Sequence, residues 1–228
     1  MEQQKQVDKY EILNTVNSPK DLKNLGREQL SQLSQEIREK IIEVVSKNGG
    51  HLGGPLGAVE LTMAVHYVFD APKDKIVFDT GHQCYPHKLI TGRRDNFNTL
   101  RQYKGVCGFC NIQESEYDVF GAGHASTAIS AALGIAKARD FKKEDYEVVA
   151  IVGDGALTAG LAFEGLNNLG ASKTNMLIIL NDNRMSISPN VGAISNYLNK
   201  IVIKPGYFKL RKTTKGLLQK IPGIGEEE

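Results

Sequence analysis

Two short polar motifs, each at the end of an apolar run, are the residues of this chain whose types and spacing best suit chemistry. Residues 147–155 read EVVAIVGDG and residues 176–183 read MLIILNDN, and both runs have the length and composition of strands. Between them, apolar residues at helical spacing predict a strand–helix–strand unit. Because the parallel strands of such a unit end at the same edge of a sheet, we expect Asp154 and Asn183 to lie side by side.

The chemistry expected at this edge is that of a cation bound to a phosphate. Asp154 offers a carboxylate oxygen and Asn183 an amide oxygen, and both suit a hard cation such as Mg²⁺. Gly153 and Gly155 let backbone amides approach an anion, and the N-terminus of the next helix adds a partial positive charge. Either motif alone is common as a plain turn, so it is their combination in one unit that favours a metal–diphosphate site.

Three histidines form a second group of candidate residues. His51, His82 and His124 each follow a glycine at the predicted boundary of an element, which favours one shared site over three unrelated loop positions. The dense glycines around His51 indicate tight turns or a close approach of the backbone to a ligand. His66 lies in an apolar stretch and is expected to be packed, while His87 is left open between packing and function.

The remaining apolar pattern predicts an α/β fold. One helix ends at the glycine pair 49–50, a second covers 56–69, a short strand covers 76–79, and an alanine-rich helix covers 125–140. Together with the strand–helix–strand unit, these elements indicate a sheet of parallel strands that is covered by helices.

The domain organisation is expected to have three parts. Residues 1–26 form a polar extension that lies over the surface, residues 27–199 form the diphosphate- and Mg²⁺-binding domain, and residues 200–228 form a basic linker or tail. The basic residues of the tail could bind phosphate, but a solvated linker is the favoured interpretation.

Composition argues against a strongly charged or membrane partner. Charged residues make up 24% of the 228 residues and the net charge is +2, which creates no overall field that would recruit nucleic acid. The chain has no apolar run of the roughly 18 residues that a membrane span needs, and no secretory signal. Three cysteines fit a reducing compartment, so we expect a cytoplasmic protein.

Motifs that suggest other classes of site are incomplete. Cys107 and Cys110 form a CxxC, but no further ligands at zinc spacing and no strand-to-helix redox context are evident. The GAGHAS segment at 121–126 only half matches a dinucleotide-binding GxGxxG and lacks the acidic residue that binds ribose. The sequence also lacks the GxxxxGK[ST] motif of a nucleotide-binding P-loop.

The spacing of GDG and NDN is similar to that of the thiamine diphosphate enzymes, and three further blocks narrow the resemblance. NGGHLGGPLG (48–57), GHQCYPHKLITGRR (81–94) and GHASTAISAALG (123–134) resemble the 1-deoxy-D-xylulose-5-phosphate synthase family. The middle block is specific to this branch of the transketolase superfamily. The resemblance covers nearly the whole chain and implies a thiamine diphosphate-binding fold, with helices on both faces of a parallel sheet in a transketolase-like diphosphate domain.

The resemblance also implies which residues bind the cofactor. Asp154, Asn183 and a backbone carbonyl near Met185 are expected to hold Mg²⁺, while Gly155 and Ala156 contact the diphosphate.

Active-site roles follow from the same resemblance. His51 and His82 are expected to move protons or orient substrate oxygens, with His82 also beside the cofactor. Gly123, His124 and Ala125 match a segment that contacts thiamine diphosphate, although Ala125 replaces the serine that is usual there.

The implied reaction joins pyruvate to glyceraldehyde 3-phosphate and yields 1-deoxy-D-xylulose 5-phosphate and CO₂, for isoprenoid, thiamine and pyridoxal biosynthesis. Members of the family are longer, and their activating glutamate belongs to a following pyrimidine-binding domain. We therefore expect a homodimer that needs such a domain in cis or from a partner chain, and no activity from this chain alone. Two alternatives stay open: a non-catalytic module that binds Mg²⁺–thiamine diphosphate or mediates association, and a transketolase-type N-terminal subunit.

Overall fold

Three strands, seven α-helices and four short helical turns make up the regular structure of the part of the chain that the computed structural model describes, residues 9–182. These residues all belong to one compact unit. None of the helices in this range combines the length and the apolarity that crossing a membrane requires. In chain order the elements are α1 (Pro19–Leu22), α2 (Arg27–Asn48), α3 (Gly53–Gly57), α4 (Val59–Val68), β1 (Lys75–Phe78), α5 (Tyr85–Lys88), α6 (Ala128–Lys142), β2 (Val148–Gly153), α7 (Gly160–Ser172) and β3 (Leu177–Asn181).

The three strands form one parallel sheet in the order β1–β2–β3. Phe78 of β1 lies opposite Ile151 of β2, which in turn lies opposite Ile179 of β3. The predicted strand–helix–strand unit is confirmed, because β2 and β3 are parallel neighbours and α7 lies between them in the chain. All three strands therefore end at the same edge of the sheet.

Helices cover both faces of this sheet, as expected for the α/β fold. Ile76 and Ile151 belong to a buried apolar cluster that also contains side chains of α2 and α4. Their neighbours Val77 and Ala150 are also buried but lie outside that cluster, because successive side chains of a strand point to opposite faces. On that second face α6 contacts β1 and β2, and α7 packs against α6.

The helices begin and end close to the predicted positions. Helix α2 ends where Gly49 adopts a φ of +77°, a conformation that favours glycine. The predicted helix over 56–69 is instead two helices, α3 and α4, which meet at Ala58. The alanine-rich helix begins at Ala128, three residues later than predicted.

The segment before α2 is part of the core. Leu13, Val16 and Leu22 are fully buried, so the expectation that residues 1–26 lie over the surface is wrong for the described residues of that segment. The buried carboxylate of Glu36 accepts the backbone N–H of Leu13 at 2.7 Å, and Arg94 donates to the carbonyls of Leu13 and Val16. The segment's few apolar residues have no regular spacing, so periodicity did not reveal this packing.

The domain boundary predicted between residues 199 and 200 lies outside the described residues. The same applies to the basic tail over 200–228, so both stay predictions.

Candidate functional site

The polar motifs of the chain meet at the carboxyl edge of the sheet. Strand β1 is followed by Asp79 and His82, β2 by Asp154, and β3 ends at Asn181. The backbone N–H of Asp154 donates to the carbonyl of Asn181 at 3.3 Å. The GDG turn therefore lies beside the first residue of the NDN motif.

Only one of the three predicted metal ligands lies within the described residues. Asp154 directly follows β2 and is partly exposed. Asn183 and Met185 lie outside the described residues, so their position beside Asp154 stays a prediction. Of the two residues predicted to contact a diphosphate, Gly155 is exposed and Ala156 is buried.

The imidazole rings of His51 and His82 are neighbours. Their centroids lie 5.3 Å apart in an edge-to-face arrangement, and the ring of His51 also lies 6.1 Å from that of Phe109. The structure thus brings together two of the three histidines that the sequence grouped, and it adds Phe109, which the sequence did not single out. Their catalytic role stays a prediction.

Two glycines near His51 are explained by side chains that lie against them. A Cβ atom at Gly54 would fall 2.7 Å from Cδ2 and Nε2 of His82, and one at Gly50 would fall 2.9 Å from the hydroxyl of Tyr85. Gly50 also has a φ of +140°, which other residues rarely adopt. At Gly50 and Gly54, two of the four glycines near His51, the glycine therefore reflects close packing of Tyr85 and His82.

The surroundings of both histidines favour the neutral imidazole. Partial burial lowers the pKa of His51, and the charge of Arg101 lowers that pKa further. Burial also lowers the pKa of His82, with His51 adding to the effect and the carboxylate of Asp79 opposing it. The Nδ1 atom of His82 is buried and has no hydrogen-bond partner among the described residues. A neutral imidazole with an unpaired nitrogen can donate a hydrogen bond to a ligand or accept one from it, depending on the tautomer.

The loop over residues 121–126 packs against the end of β1. A Cβ atom at Gly81 would fall 2.7 Å from Cβ of Ala122, so the loop and the GHQ motif are in close contact. This loop carries three residues that are predicted to contact the cofactor, and all three are exposed: Gly123, His124 and Ala125. Their role stays a prediction.

The start of α6 is capped by a side chain that comes from another element. Neither Ser126 nor Thr127 caps this helix, since neither side chain makes a capping hydrogen bond and the Ser126 hydroxyl donates to the carbonyl of Ala156. Instead, the carboxylate of Asp79 accepts the N–H of Ser126 at 2.7 Å and that of Ala128 at 3.1 Å. Asp79 directly follows a strand, as Asp154 does, and that position was the available signal for it.

The edge has the space and the donor chemistry for a metal-bound diphosphate. A Cβ atom placed at Gly123 or at Gly153 would meet no atom of residues 9–182 within 4 Å, so these residues leave space against the backbone at both positions. Asp154 contributes carboxylate oxygens, which Mg²⁺ prefers. The residues that are present therefore fit Mg²⁺ and the diphosphate of thiamine diphosphate.

The basic block that follows β1 builds a buried polar network. Lys88 is fully buried, pairs with Glu114, and lies 3.7 Å from the carboxylate of Asp118. Arg93 donates to the same carboxylate from both terminal nitrogens, at 2.7 and 2.9 Å. Two buried cations are thus paired with two acids that follow them by about 20 to 30 residues.

His87 extends this network into the core. With both rings neutral, Nε2 of His66 donates to Nδ1 of His87 at 2.8 Å, and Nε2 of His87 donates to Asp118 at 2.8 Å. Burial acts to raise the pKa of Asp118, but the hydrogen bonds from His87 and Arg93 outweigh it and hold that pKa well below its usual value. The expectation that His66 is packed is confirmed, and His87 is a structural residue as well.

One group in this network has the spacing of a metal site, but its donor atoms are occupied. His87, Cys110 and Asp118 place possible ligand atoms within 4.8 Å of one another, the one such group among residues 9–182. The carboxylate of Asp118 already accepts hydrogen bonds from Arg93, His87 and the backbone of Asn111. A metal ion here would replace those bonds and face a buried guanidinium, so we assign no metal to this group.

The CxxC pair does not have the surroundings of a reactive site. Cys107 is partly exposed, and its backbone N–H donates to Glu114 at 2.7 Å. Cys110 is buried, and its hydrogen bond with Cys84, together with burial, raises the pKa of its thiol well above the usual value. A raised pKa disfavours the thiolate that redox chemistry and zinc binding both need.

Lowering the pH below about 6.5 is expected to destabilise the fold, because the pKa values of His51, His66, His82 and His87 are all lowered, mainly by burial. The unfolded chain then binds more protons, so stability is present above the unfolded pKa and is lost as the pH falls through it. A fully buried histidine that stays neutral, such as His66 or His87, costs up to about 1.4 kcal/mol per pH unit, and the more exposed His51 costs less. Urea unfolding at pH 7.5, 6.5 and 5.5 measures the slope, which His66→Gln should reduce. An equal slope in His66→Gln and the wild type would contradict this assignment.

Sequence comparison places these features in a family. A family model described as 1-deoxy-D-xylulose-5-phosphate synthase matches residues 13–227. The curated relatives include the 1-deoxy-D-xylulose-5-phosphate synthases of Caldanaerobacter subterraneus subsp. tengcongensis, 57% identical over 94% of this chain, and of Syntrophus aciditrophicus, 58% identical over 95%. That of Dictyoglomus turgidum is 59% identical over 91% of the chain.

The chain spans about a third of the length of these relatives, namely 35%, 33% and 34% of the three proteins. The match covers both motifs of the sheet edge, the histidines, and the block that forms the buried network. The chain therefore belongs to the 1-deoxy-D-xylulose-5-phosphate synthase family and corresponds to its amino-terminal domain.

Proposed function

We propose that this chain binds Mg²⁺ and the diphosphate of thiamine diphosphate in a synthase that condenses pyruvate with glyceraldehyde 3-phosphate. The products are CO₂ and 1-deoxy-D-xylulose 5-phosphate. The latter is a precursor for isoprenoid, thiamine and pyridoxal biosynthesis. The observation that carries the proposal is the meeting of Asp154 and Asn181 at the carboxyl edge, beside space at Gly153 that the described part of the chain leaves open. Ligands bind at this edge in open α/β sheets.

The chain's residues have distinct roles in this proposal. When bound, thiamine diphosphate supplies the carbon nucleophile and the electron sink for the decarboxylation of a 2-oxo acid. Asp154, Asn183 and the backbone carbonyl of Met185 hold Mg²⁺, and backbone groups of Gly155 and Ala156 approach the diphosphate. These are oxygen ligands and amide donors of the kind that Mg²⁺ and phosphate oxygens prefer.

The histidines act on substrate oxygens and protons. His51 and His82 are adjacent, and burial lowers the pKa of both, so each has a nitrogen that can accept a proton near neutral pH. The segment Gly123, His124 and Ala125 is exposed at the same edge and contacts the cofactor. Its backbone supplies that contact where Ala125 lacks the usual hydroxyl.

The proposal requires further protein. We infer a cytoplasmic homodimer in which a pyrimidine-binding domain, in cis or from a partner chain, supplies the glutamate that activates the cofactor. Leu177 and Leu180 of β3 are 43% and 40% exposed, although strands of parallel sheets are usually buried on both faces. Because they are three positions apart they lie on opposite faces of β3, and their exposure supports additional cover around this strand.

The buried network favours the synthase over a transketolase-type subunit. Lys88 and Arg93, which anchor the network, belong to the block that is specific to the synthase branch.

Product formation tests the proposal directly. The 228-residue chain is incubated with pyruvate, glyceraldehyde 3-phosphate, Mg²⁺ and thiamine diphosphate, alone and together with a separately produced carboxyl-terminal part of a full-length relative. We expect 1-deoxy-D-xylulose 5-phosphate only from the mixture. The carboxyl-terminal part by itself is the matched control.

The other outcomes of the product-formation experiment would each contradict one part of the proposal. Product from the chain alone would contradict the inferred need for a second domain. If neither sample forms product, although the chain is folded and binds thiamine diphosphate, the chain is a non-catalytic binding module. A folded chain that neither reacts nor binds the cofactor would refute the proposal.

A further inference from the structure

Asp79 joins the end of β1 to the start of α6. Its side chain is 1% exposed, and its two carboxylate oxygens accept one backbone N–H each, from Ser126 and Ala128. Two residues after Asp79, Gly81 packs against Ala122 of the 121–126 loop. The position of that loop therefore depends on one buried carboxylate that belongs to a different element.

Ser126 joins the same loop to the GDG turn. Its side chain is almost fully buried, and its hydroxyl donates to the carbonyl of Ala156 at 2.6 Å. Ala156 follows Gly155 directly, so the bond ends inside the turn that is predicted to bind the diphosphate. The two loops thus share a hydrogen bond across the edge of the sheet.

The backbone at this junction is strained. Ser126 has a φ of +74° and Thr80, next to Asp79, has a φ of +58°, both in the left-handed region that favours glycine. Such conformations persist when the surrounding contacts determine them, and they cluster at ligand clamps. For Ser126 those contacts are visible: the carboxylate of Asp79 holds its N–H, and the carbonyl of Ala156 holds its hydroxyl.

We propose that Asp79 and Ser126 are positioning residues that fix the 121–126 loop and the Gly153–Ala156 turn in the arrangement that receives the diphosphate. This inference rests on the proposed function. Neither side chain needs to touch the cofactor, because Asp79 acts through the backbone of Ser126 and Ser126 acts through the backbone of Ala156. We call these hydrogen bonds of Asp79 and Ser126 the bridge. Because the bridge orders the two loops before the ligand binds, binding one anion does not have to supply the entropy cost of ordering them.

Comparing a ligand that carries the diphosphate with one that lacks its terminal phosphate tests whether Ser126 positions the diphosphate site or only stabilises the fold. Binding of thiamine diphosphate and of thiamine monophosphate, both with Mg²⁺, is measured by calorimetry on the full chain. We expect Ser126→Ala to weaken thiamine diphosphate binding about tenfold and to leave monophosphate binding nearly unchanged. Ser126→Gly should give the same loss, since it lacks the hydroxyl but adopts a φ of +74° readily. It also serves as the second variant if Ser126→Ala folds poorly.

Amide hydrogen exchange on the ligand-free chain tests the bridge independently of any cofactor. Exchange at residues 154–158 should rise in Ser126→Ala, and exchange of the Ser126 and Ala128 amides should rise in Asp79→Asn. The matched control is Ser172→Ala, because Ser172 also donates its hydroxyl to a backbone carbonyl, that of Leu169, but at the other end of α7. It should change neither exchange at the edge nor ligand binding.

The outcomes distinguish this inference from the proposed function. If the wild-type chain prefers thiamine diphosphate and both Ser126 variants keep that preference in full, the positioning role is wrong. If the wild type shows no preference, the proposed function fails for this chain, and hydrogen exchange alone decides the bridge. Unchanged exchange at residues 154–158 in Ser126→Ala would then overturn the proposed link between the two loops. Exchange that rises there in Ser126→Ala but not in Ser172→Ala would support the link.

Discussion

Asp118→Ala is expected to lower the free energy of unfolding by about 3–5 kcal/mol, the usual cost of removing one partner from a buried ion pair. The carboxylate of Asp118 accepts hydrogen bonds from His87, from the backbone of Asn111 and from both terminal nitrogens of Arg93. Without it, the guanidinium of Arg93 keeps Glu114 as its remaining acid, and Glu114 must also serve the buried ammonium of Lys88.

Urea unfolding at pH 7.5 measures this loss, and Asp95→Ala is the matched control. Asp95 is also an acid that pairs with an arginine of the same block, Arg94 at 2.9 Å, but its side chain is 81% exposed. Removing it should change the free energy of unfolding by less than about 1 kcal/mol. If Asp118→Ala costs no more than Asp95→Ala, the network contributes little to stability and the structural role given to this block is wrong.

The sequence predicted the fold well where the pattern within each element and the pairing between elements follow from the same residues. Strands β2 and β3 are continuous apolar runs that end in turn residues, and α7 has helical spacing between them. Each signal comes from within one element, and the parallel pairing follows because a helix connects the two strands. The meeting of the GDG turn with the start of the NDN motif could therefore be expected from the sequence, while the predicted pairing of Asp154 with Asn183 lies outside the described residues.

The buried network could not be predicted in this way. Lys88 and Arg93 look like ordinary surface residues of a basic block, and their partner Asp118 is 25 residues beyond Arg93 in a loop without periodicity. Only the fold brings these charges together in the interior. The same holds for Leu13 and Val16, which are core residues in a segment of polar character.

In the candidate site, too, some features could be predicted from the sequence and others could not. The flanking glycines grouped His51, His82 and His124, and the structure places the rings of His51 and His82 side by side. The explanation was incomplete, because Gly54 makes room for His82 itself. At the start of α6, Ser126 is of a residue type that commonly caps helices. Instead, the buried carboxylate of Asp79, which directly follows β1, accepts the backbone N–H groups there, and the serine hydroxyl makes a contact across the edge. Side-chain direction at a junction depends on elements that are distant in the chain.

Asp154→Ala is expected to weaken Mg²⁺-dependent binding of thiamine diphosphate by about 100-fold or more, since even residues that only support a metal ligand cost about 10–100-fold when changed. Asp154 supplies the one carboxylate among the predicted Mg²⁺ ligands, beside Asn183 and the carbonyl of Met185. The hydrogen bond from the backbone of residue 154 to Asn181 does not use this side chain, and the side chain is partly exposed. The free energy of unfolding should therefore change by less than about 1 kcal/mol.

Calorimetric titration of thiamine diphosphate at several Mg²⁺ concentrations separates a metal ligand from a residue that merely shapes the turn. A lost ligand raises the Mg²⁺ concentration needed for half-maximal binding, and Asp154→Asn, which keeps an oxygen but loses the charge, should lie between the wild type and Asp154→Ala. Glu164→Ala removes an exposed acid from α7 in the same unit and should bind as the wild type does. Undiminished binding in Asp154→Ala would remove the proposed metal site. A loss that excess Mg²⁺ does not reduce, equal in Asp154→Asn and Asp154→Ala, would instead assign Asp154 to the shape of the turn, because metal coordination must respond to the metal concentration.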